Sequence, residues 1–233
     1  MNLHYDLHVH SVLSPCADVL MTPNNILNMA TLKGLDVLSV ADHNSLKQIP
    51  ILAKIAESYA LLFIPGVEVT IADGTHVLAH FRRLDEAMAF DADLERLLDK
   101  TPEGPIRNGE PILTDEEDLT LAVLPYRLHQ NLPIDLAGLC RLLDRYDHLR
   151  FFAHLDRGAN SGLHLVGTCP MDGIELTRHA DPEFLRRHRL EGYPVLRNSD
   201  AHGLCDISER TDGNILDLPE RSLDAFFARF SRG

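Results

Sequence analysis

Asp6-Leu7-His8-Val9-His10-Ser11, or DLHVHS, closes a short apolar run and sets two imidazoles two residues apart. On a β-strand, residues i and i+2 share a face. If the strand opens into a cleft, His8 and His10 can therefore hold one divalent ion from the same side, neutral imidazole being the commonest protein metal ligand. An H-x-H pair alone equally fits two polar residues on a half-buried strand. The case for chemistry comes from what recurs downstream.

Residues 3–9 read as a strand, followed by a loop marked by Ser14, Pro15 and Asp18. Thr22 then suits a helix N-cap with Pro23 at the first helical position, and Gly34 stops that helix. Residues 36–41 form a second strand ending in Asp42-His43-Asn44, and a helix over 46–59 follows. Residues 61–64 are a third strand, with Glu68 just past it in Pro65-Gly66-Val67-Glu68. A short strand over 75–81 carries His76 and His80 on one face.

From about 82 to 132 the rhythm breaks. A helix around 85–100 leads into a stretch rich in turn residues and acids, read as an insertion beside or above the site. An amphipathic helix over 133–146 precedes a strand at 150–153 that ends in His154. Strands at 173–176 and 195–197 come next, the latter ending in Asn198-Ser199-Asp200-Ala201-His202, and a helix over 219–230 closes the chain. Strand-helix alternation with short connections predicts a parallel sheet and, at this length, a (β/α) barrel. His10, His43, Glu68, His154 and Asp200 all fall at carboxyl ends of predicted strands, the face where barrel active sites are built.

With 233 residues and no composition shift, the expectation is one domain over 1–233. No 18-residue apolar run and no signal peptide are visible, so a cytoplasmic protein without membrane contact is expected. Cys16, Cys140, Cys169 and Cys205 lie far apart and suggest no disulfide framework. The formal net charge of −13 argues against long nucleic acid as a partner, which calls for a basic footprint. A small anionic substrate remains compatible, because bound divalent ions would reverse the sign locally.

DLHVHS, VADHNS, PGVE, FFAH and NSDAH, in this order from Asp6 to His202, resemble the PHP family, named for its polymerase and histidinol phosphatase members. The resemblance implies a distorted (β/α)7 TIM-like barrel with a metal site that hydrolyses phosphoesters, using two or three ions of zinc, manganese or iron. Matched motif to motif, His8, His10, Glu68 and Asp200 would hold one ion, with Glu68 bridging to a second held by His76 and His154. His43 and His202 would hold the third. Where the family has its remaining third-ion ligand, this chain has Pro15 and Cys16; either Cys16 as a thiolate or Asp18 from the same loop completes the set, or the third ion is weakly bound and Cys16 is an inert thiol.

Such a cluster suits phosphoester hydrolysis because it neutralises phosphate oxygens and lowers the pKa of bound water, so that hydroxide is available for in-line attack. Arg157, Arg178 and His179, just past strand ends, are candidates to hold a non-reacting oxygen or to protonate the leaving group. Asp42 reads either as the partner that orients His43 or as a helix cap, and Glu175 as a core hydrogen-bonding group. His129 reads as solvated. The expected activity is hydrolysis of a small phosphorylated metabolite or short nucleotide. The alternatives are an exonuclease on short single strands and a non-catalytic metal-binding module.

Overall fold

An apolar stripe at helical spacing between one alternating strand and one buried throughout gives the first β–α–β unit. The computed structural model describes residues 1–101 and 109–230. In it β1 (Asn2–Val9), α1 (Pro23–Leu32), β2 (Val37–Val40), α2 (Ile49–Ala56) and β3 (Leu62–Thr70) alternate, and the three strands pair in parallel. Thr22 is the N-cap residue and Pro23 opens α1, as the sequence predicts. The capping carboxylate, however, is that of Asp118 from the insertion: it accepts from Asn24 N at 3.2 Å and from Thr22 Oγ1 at 2.6 Å.

The expected all-parallel order fails at β4 (His76–Phe81), which runs antiparallel to β3. The cause is connection length. A parallel crossover takes about a dozen residues or more, and the chain between Thr70 and His76 is too short for one. Along β4, Val77, Ala79 and Phe81 pack in the core that also holds α3 (Leu84–Leu97), with the Phe81 and Phe90 rings 5.1 Å apart. His76, Leu78 and His80 alternate with them.

The insertion contains α3 and a small antiparallel hairpin, β5 (Ile112–Thr114) and β6 (Thr120–Val123). Part of its turn-rich stretch, 102–108, lies outside the described residues. Then follow α4 (Leu136–Leu143), β7 (His148–Phe152), β8 (Gly173–Thr177), α5 (Phe184–His188), β9 (Val195–Asn198), β10 (Ile215–Asp217) and α6 (Leu223–Phe230). β7 pairs antiparallel with β4, while β8 and β9 continue in parallel. The sheet order is β10-β1-β2-β3-β4-β7-β8-β9, and it curls until the chain after β9 returns to β1 through a parallel bridge between Val9 and Ala201. The result is a distorted TIM-like barrel in which β10, which the sequence reading missed, is an antiparallel addition to β1.

Two apolar clusters hold this shell. One packs α1 to α4 against the strands; the other gathers Tyr5, Leu7, Phe151 and Leu196 with Phe226, Phe227 and Phe230 of α6. At Gly66 the strands come too close for a side chain: a Cβ there would lie 2.2 Å from Ser39 Oγ. No helix among the described residues is long and apolar enough to cross a membrane.

Candidate metal centre

The fold delivers its polar strand ends to one place. Glu68, near the end of β3 and 1% exposed, is the hub. Its Oε1 lies 2.7 Å from His76 Nδ1, 3.0 Å from His154 Nε2 and 3.4 Å from His8 Nε2. Its Oε2 lies 3.0 Å from His43 Nδ1 and 3.5 Å from His10 Nε2. Because β4 is antiparallel, its first residue, His76, rather than its last is presented to this end of the barrel. His80 lies lower on the same strand and its Nε2 donates to Leu7 O at 3.0 Å, away from the cluster.

Hydrogen bonds fix which imidazole nitrogens carry lone pairs. His8 Nδ1 donates to Glu175 at 3.0 and 3.1 Å; Glu175 also accepts from His154 N and Asn198 Nδ2, each at 2.7 Å, so one buried carboxylate ties β1 to the ends of β7 and β9. This matches the expected role of Glu175. Asp42 behaves differently from either expectation. Its carboxylate accepts from Ser11 N, Ser11 Oγ and Ser14 Oγ at 2.5–2.7 Å. Ser14 Oγ, with its proton committed to Asp42, accepts from His10 Nδ1 at 3.1 Å. Asp42 thus orients His10 through Ser14, rather than His43.

His8 Nε2 and His10 Nε2 are therefore the ring nitrogens turned to the cluster, and both face Asp200 Oδ1, at 3.3 and 3.1 Å. His8 Nε2, His43 Nδ1, His76 Nε2, His154 Nδ1 and Glu68 Oε2 are all buried with no aligned hydrogen-bond partner. Ring nitrogens crowded against carboxylates in a buried space must either carry protons or share a cation. The donor set fits divalent metal: His8, His10, Glu68 and Asp200 form one group with ligand atoms within 4.8 Å of one another, and His43, Glu68 and His76 form another.

Two further groups involve His10, His43 and His202, and Cys16, His43 and His129. His129, expected to be solvated, is exposed yet has its ring 4.4 Å from that of His43. Nothing in the local sequence pattern signals this, since it sits in the insertion, where neither period holds. Asp18 is exposed and its Oδ1 accepts from Leu20 N at 2.8 Å, so it closes a turn instead of reaching the cluster.

Protonation follows the crowding. Burial, with the His43 charge beside it, holds His10 down at about 3. Burial opposes a charge on His43 too, but Glu68 and Cys16 outweigh it and push the group up to about 10. The Cys16 thiol, which burial would raise, is held at about 3 by hydrogen bonds from His129, His202 and His43. Backbone shape also marks the site: Asn44, His154 and Asp200 have φ of 52, 29 and 52°, a left-handed conformation uncommon for residues with a Cβ.

Beside the cluster opens a cleft of about 510 Å³ lined by Arg157, Arg178, His179, Asp200, His202 and Asp206 among others. Arg157 Nη1 donates to Asp200 Oδ2, and Arg178 Nε donates to His179 Nε2 at 3.2 Å. All three of the predicted substrate-handling side chains thus line one opening next to the candidate ligands.

No family model matches the chain, and no curated protein is significantly similar to it. Solved structures do match. The lesion-specific endonuclease Q of Pyrococcus furiosus is 20% identical with a TM-score of 0.73 over 97% of this chain and 55% of that one. An endonuclease Q complex with a 27-mer duplex substrate, bearing an abasic lesion at the active site, is 19% identical with a TM-score of 0.70, covering 99% and 56%. A two-domain protein of Bacteroides vulgatus containing a predicted PHP-like metal-dependent phosphoesterase is 20% identical with a TM-score of 0.55, covering 99% and 62%. The chain thus spans about half the length of the endonucleases it resembles, and its fold is that of the PHP-like phosphoesterases. The expectation that net charge disfavours long nucleic acid is overturned, since a barrel of this fold occurs in an enzyme bound to duplex DNA. A formal charge of −13 sums over the whole surface and does not describe the cleft, where Arg157 and Arg178 lie among Asp156, Asp200 and Asp206.

Proposed function

We propose that the chain is a metal-dependent phosphoric ester hydrolase whose reaction takes place where the Arg157–Arg178 cleft meets the Glu68 hub. The observation that carries this reading is the convergence on one buried carboxylate of five imidazoles, several with a buried ring nitrogen that has no aligned hydrogen-bond partner. His8, His10, Glu68 and Asp200 would hold one ion, Glu68, His76 and His154 a second, and His43 and His202 a third, with zinc, manganese or iron suited to an imidazole-rich set. Ions held there supply charge neutralisation at phosphoryl oxygens and acidify water.

The chain's own groups do the rest. Glu175 and the Asp42–Ser14 pair hold His8 and His10 in the ligating tautomer. Arg157 and Arg178 hold non-reacting phosphate oxygens, as a guanidinium can do through two parallel hydrogen bonds. His179, its Nε2 freed from Arg178 when that guanidinium turns to the phosphate, takes a proton there from solvent and passes it to the leaving oxygen. A cleft of this volume suits a small phosphorylated metabolite or short nucleotide. A second reading, a nuclease acting on DNA, is favoured by the likeness to endonuclease Q.

The test is metal content of protein purified without added metal, together with hydrolysis of a phosphomonoester, a phosphodiester and an abasic-site duplex. Bound ions, with turnover lost in His10→Ala and Asp200→Ala, are expected; cleavage of the duplex alone selects the nuclease. Protein that binds no ion and stays inert after reconstitution sinks the hydrolase.

A further inference from the structure

Cys16 and His129 are not joined by any repeat of the sequence, yet the fold brings the two side chains and His43 together with ligand atoms within 4.8 Å of one another. Cys16 follows β1 in the loop, His43 follows β2 and His129 comes from the insertion. His202 faces the same thiol. We propose that Cys16, His43, His129 and His202 form a thiolate–imidazole site for a zinc-class ion, with His129 the ligand by which the insertion closes the metal centre. The inference deepens the hydrolase reading and rests on it for the presence of ions at the hub.

Three observations support it beyond the cysteine itself. His43 is 2% exposed and belongs to this group as well as to the one around Glu68, where its Nδ1 lies 3.0 Å from Glu68 Oε2. His129 is presented, not merely nearby. Asn44, buried and left-handed at φ 52°, donates both amide hydrogens to the carbonyls that flank His129: Leu128 O at 2.7 Å and Gln130 O at 2.8 Å. The same amide accepts from Thr70 N at 2.9 Å, which anchors the arrangement to the end of β3. One side chain, next in sequence to His43, thus sets the backbone on both sides of an exposed histidine.

The donor chemistry decides the ion. A thiolate with imidazoles is a soft to borderline set that favours zinc and disfavours magnesium and manganese, whereas the carboxylate-containing groups around Glu68 accept harder ions. Two classes of site in one cluster follow, and ion preference at the Cys16 site differs from that at the hub.

The test uses the full chain loaded with cobalt(II) or zinc, and reads binding rather than turnover. Cobalt-loaded wild-type protein is expected to show a thiolate-to-cobalt absorption in the near ultraviolet that Cys16→Ser abolishes, with one ion fewer per chain. His129→Ala, which changes an exposed side chain, is expected to weaken the most weakly held zinc at least about tenfold, because even groups that only orient a ligand are worth about 10–100-fold. In alkylation followed by mass spectrometry, Cys16 reacts in metal-free protein and is protected when loaded, while exposed Cys205 reacts in both. A full ion complement in Cys16→Ser, no thiolate band in ion-bearing wild-type protein, or unchanged zinc affinity in His129→Ala overturns this inference and leaves the hydrolase standing. Wild-type protein that binds no ion overturns both.

Discussion

Glu175→Gln is the substitution that most directly tests how the barrel prepares His8. The side chain keeps its volume, but one acceptor oxygen becomes an NH₂ donor in a pocket where every neighbour donates: His8 Nδ1 at 3.0 Å, His154 N at 2.7 Å and Asn198 Nδ2 at 2.7 Å. His154 N donates to one carboxylate oxygen and Asn198 Nδ2 to the other, while His8 Nδ1 lies near both, so in either amide orientation one of those donors loses its acceptor and an NH₂ stands opposite His8 Nδ1. His8 then relieves the clash by moving its proton to Nε2, the nitrogen that faces Glu68 and Asp200. A protonated Nε2 cannot ligate, so the variant must restore the ligating tautomer against an unsatisfied donor. Partners of this kind are worth about 10–100-fold in metal affinity, or about 1.4–2.7 kcal/mol. Competition titration against a chromophoric chelator measures it, with thermal unfolding of metal-free protein as the control for folding. A variant that melts like wild type and binds its ions with unchanged affinity refutes the claim that Glu175 sets the tautomer.

Arg157→Ala, which removes the guanidinium beside Asp200, should lower kcat/KM by about 10²-fold, in line with loss of one preorganised charge-stabilising donor, without loss of bound metal; steady-state kinetics and metal content together check it. In metal-free protein, burial holds His80 down at about 4 against 6.5 for an ordinary histidine. The unfolded chain therefore binds the proton first as pH falls, and His80 costs about 3 kcal/mol of stability between pH 6.5 and 4. Urea unfolding across that range should show a smaller decline in His80→Gln, and parallel curves would count against it. Phe226→Ala, in the cluster that α6 makes with the barrel, should cost about 3–5 kcal/mol by denaturant titration while metal stoichiometry at low denaturant is kept.

Much of the site was legible because a strand end is a local signal. His10, His43, Glu68, His154 and Asp200 each follow an apolar run, and nothing more than that placement was needed to expect them together. What was not legible depended on partners distant in sequence. Asp42 finds Ser11 and Ser14 through a loop whose path no periodicity reveals, and His129 meets Cys16 from an insertion whose carbonyls on either side of it are held by Asn44. The antiparallel β4 was readable in principle from the short connection after Thr70, but the regular β–α rhythm before it suggested continuation. β10 is three residues long, too short for alternation to register.

The left-handed backbone at His154 and Asp200 sets protein engineering for durability against retention of the site. A residue with a Cβ held at such φ stores on the order of 1–3 kcal/mol of strain, and glycine relieves it without steric cost. A selection for heat resistance alone would therefore favour glycine at 154 and 200. Each gain of this kind removes a group that faces Glu68 or His10. Libraries meant to harden this barrel should hold those two positions fixed and seek their increments elsewhere, for instance on the exposed aliphatic face of the β5–β6 hairpin at Leu119, Leu121 and Val123.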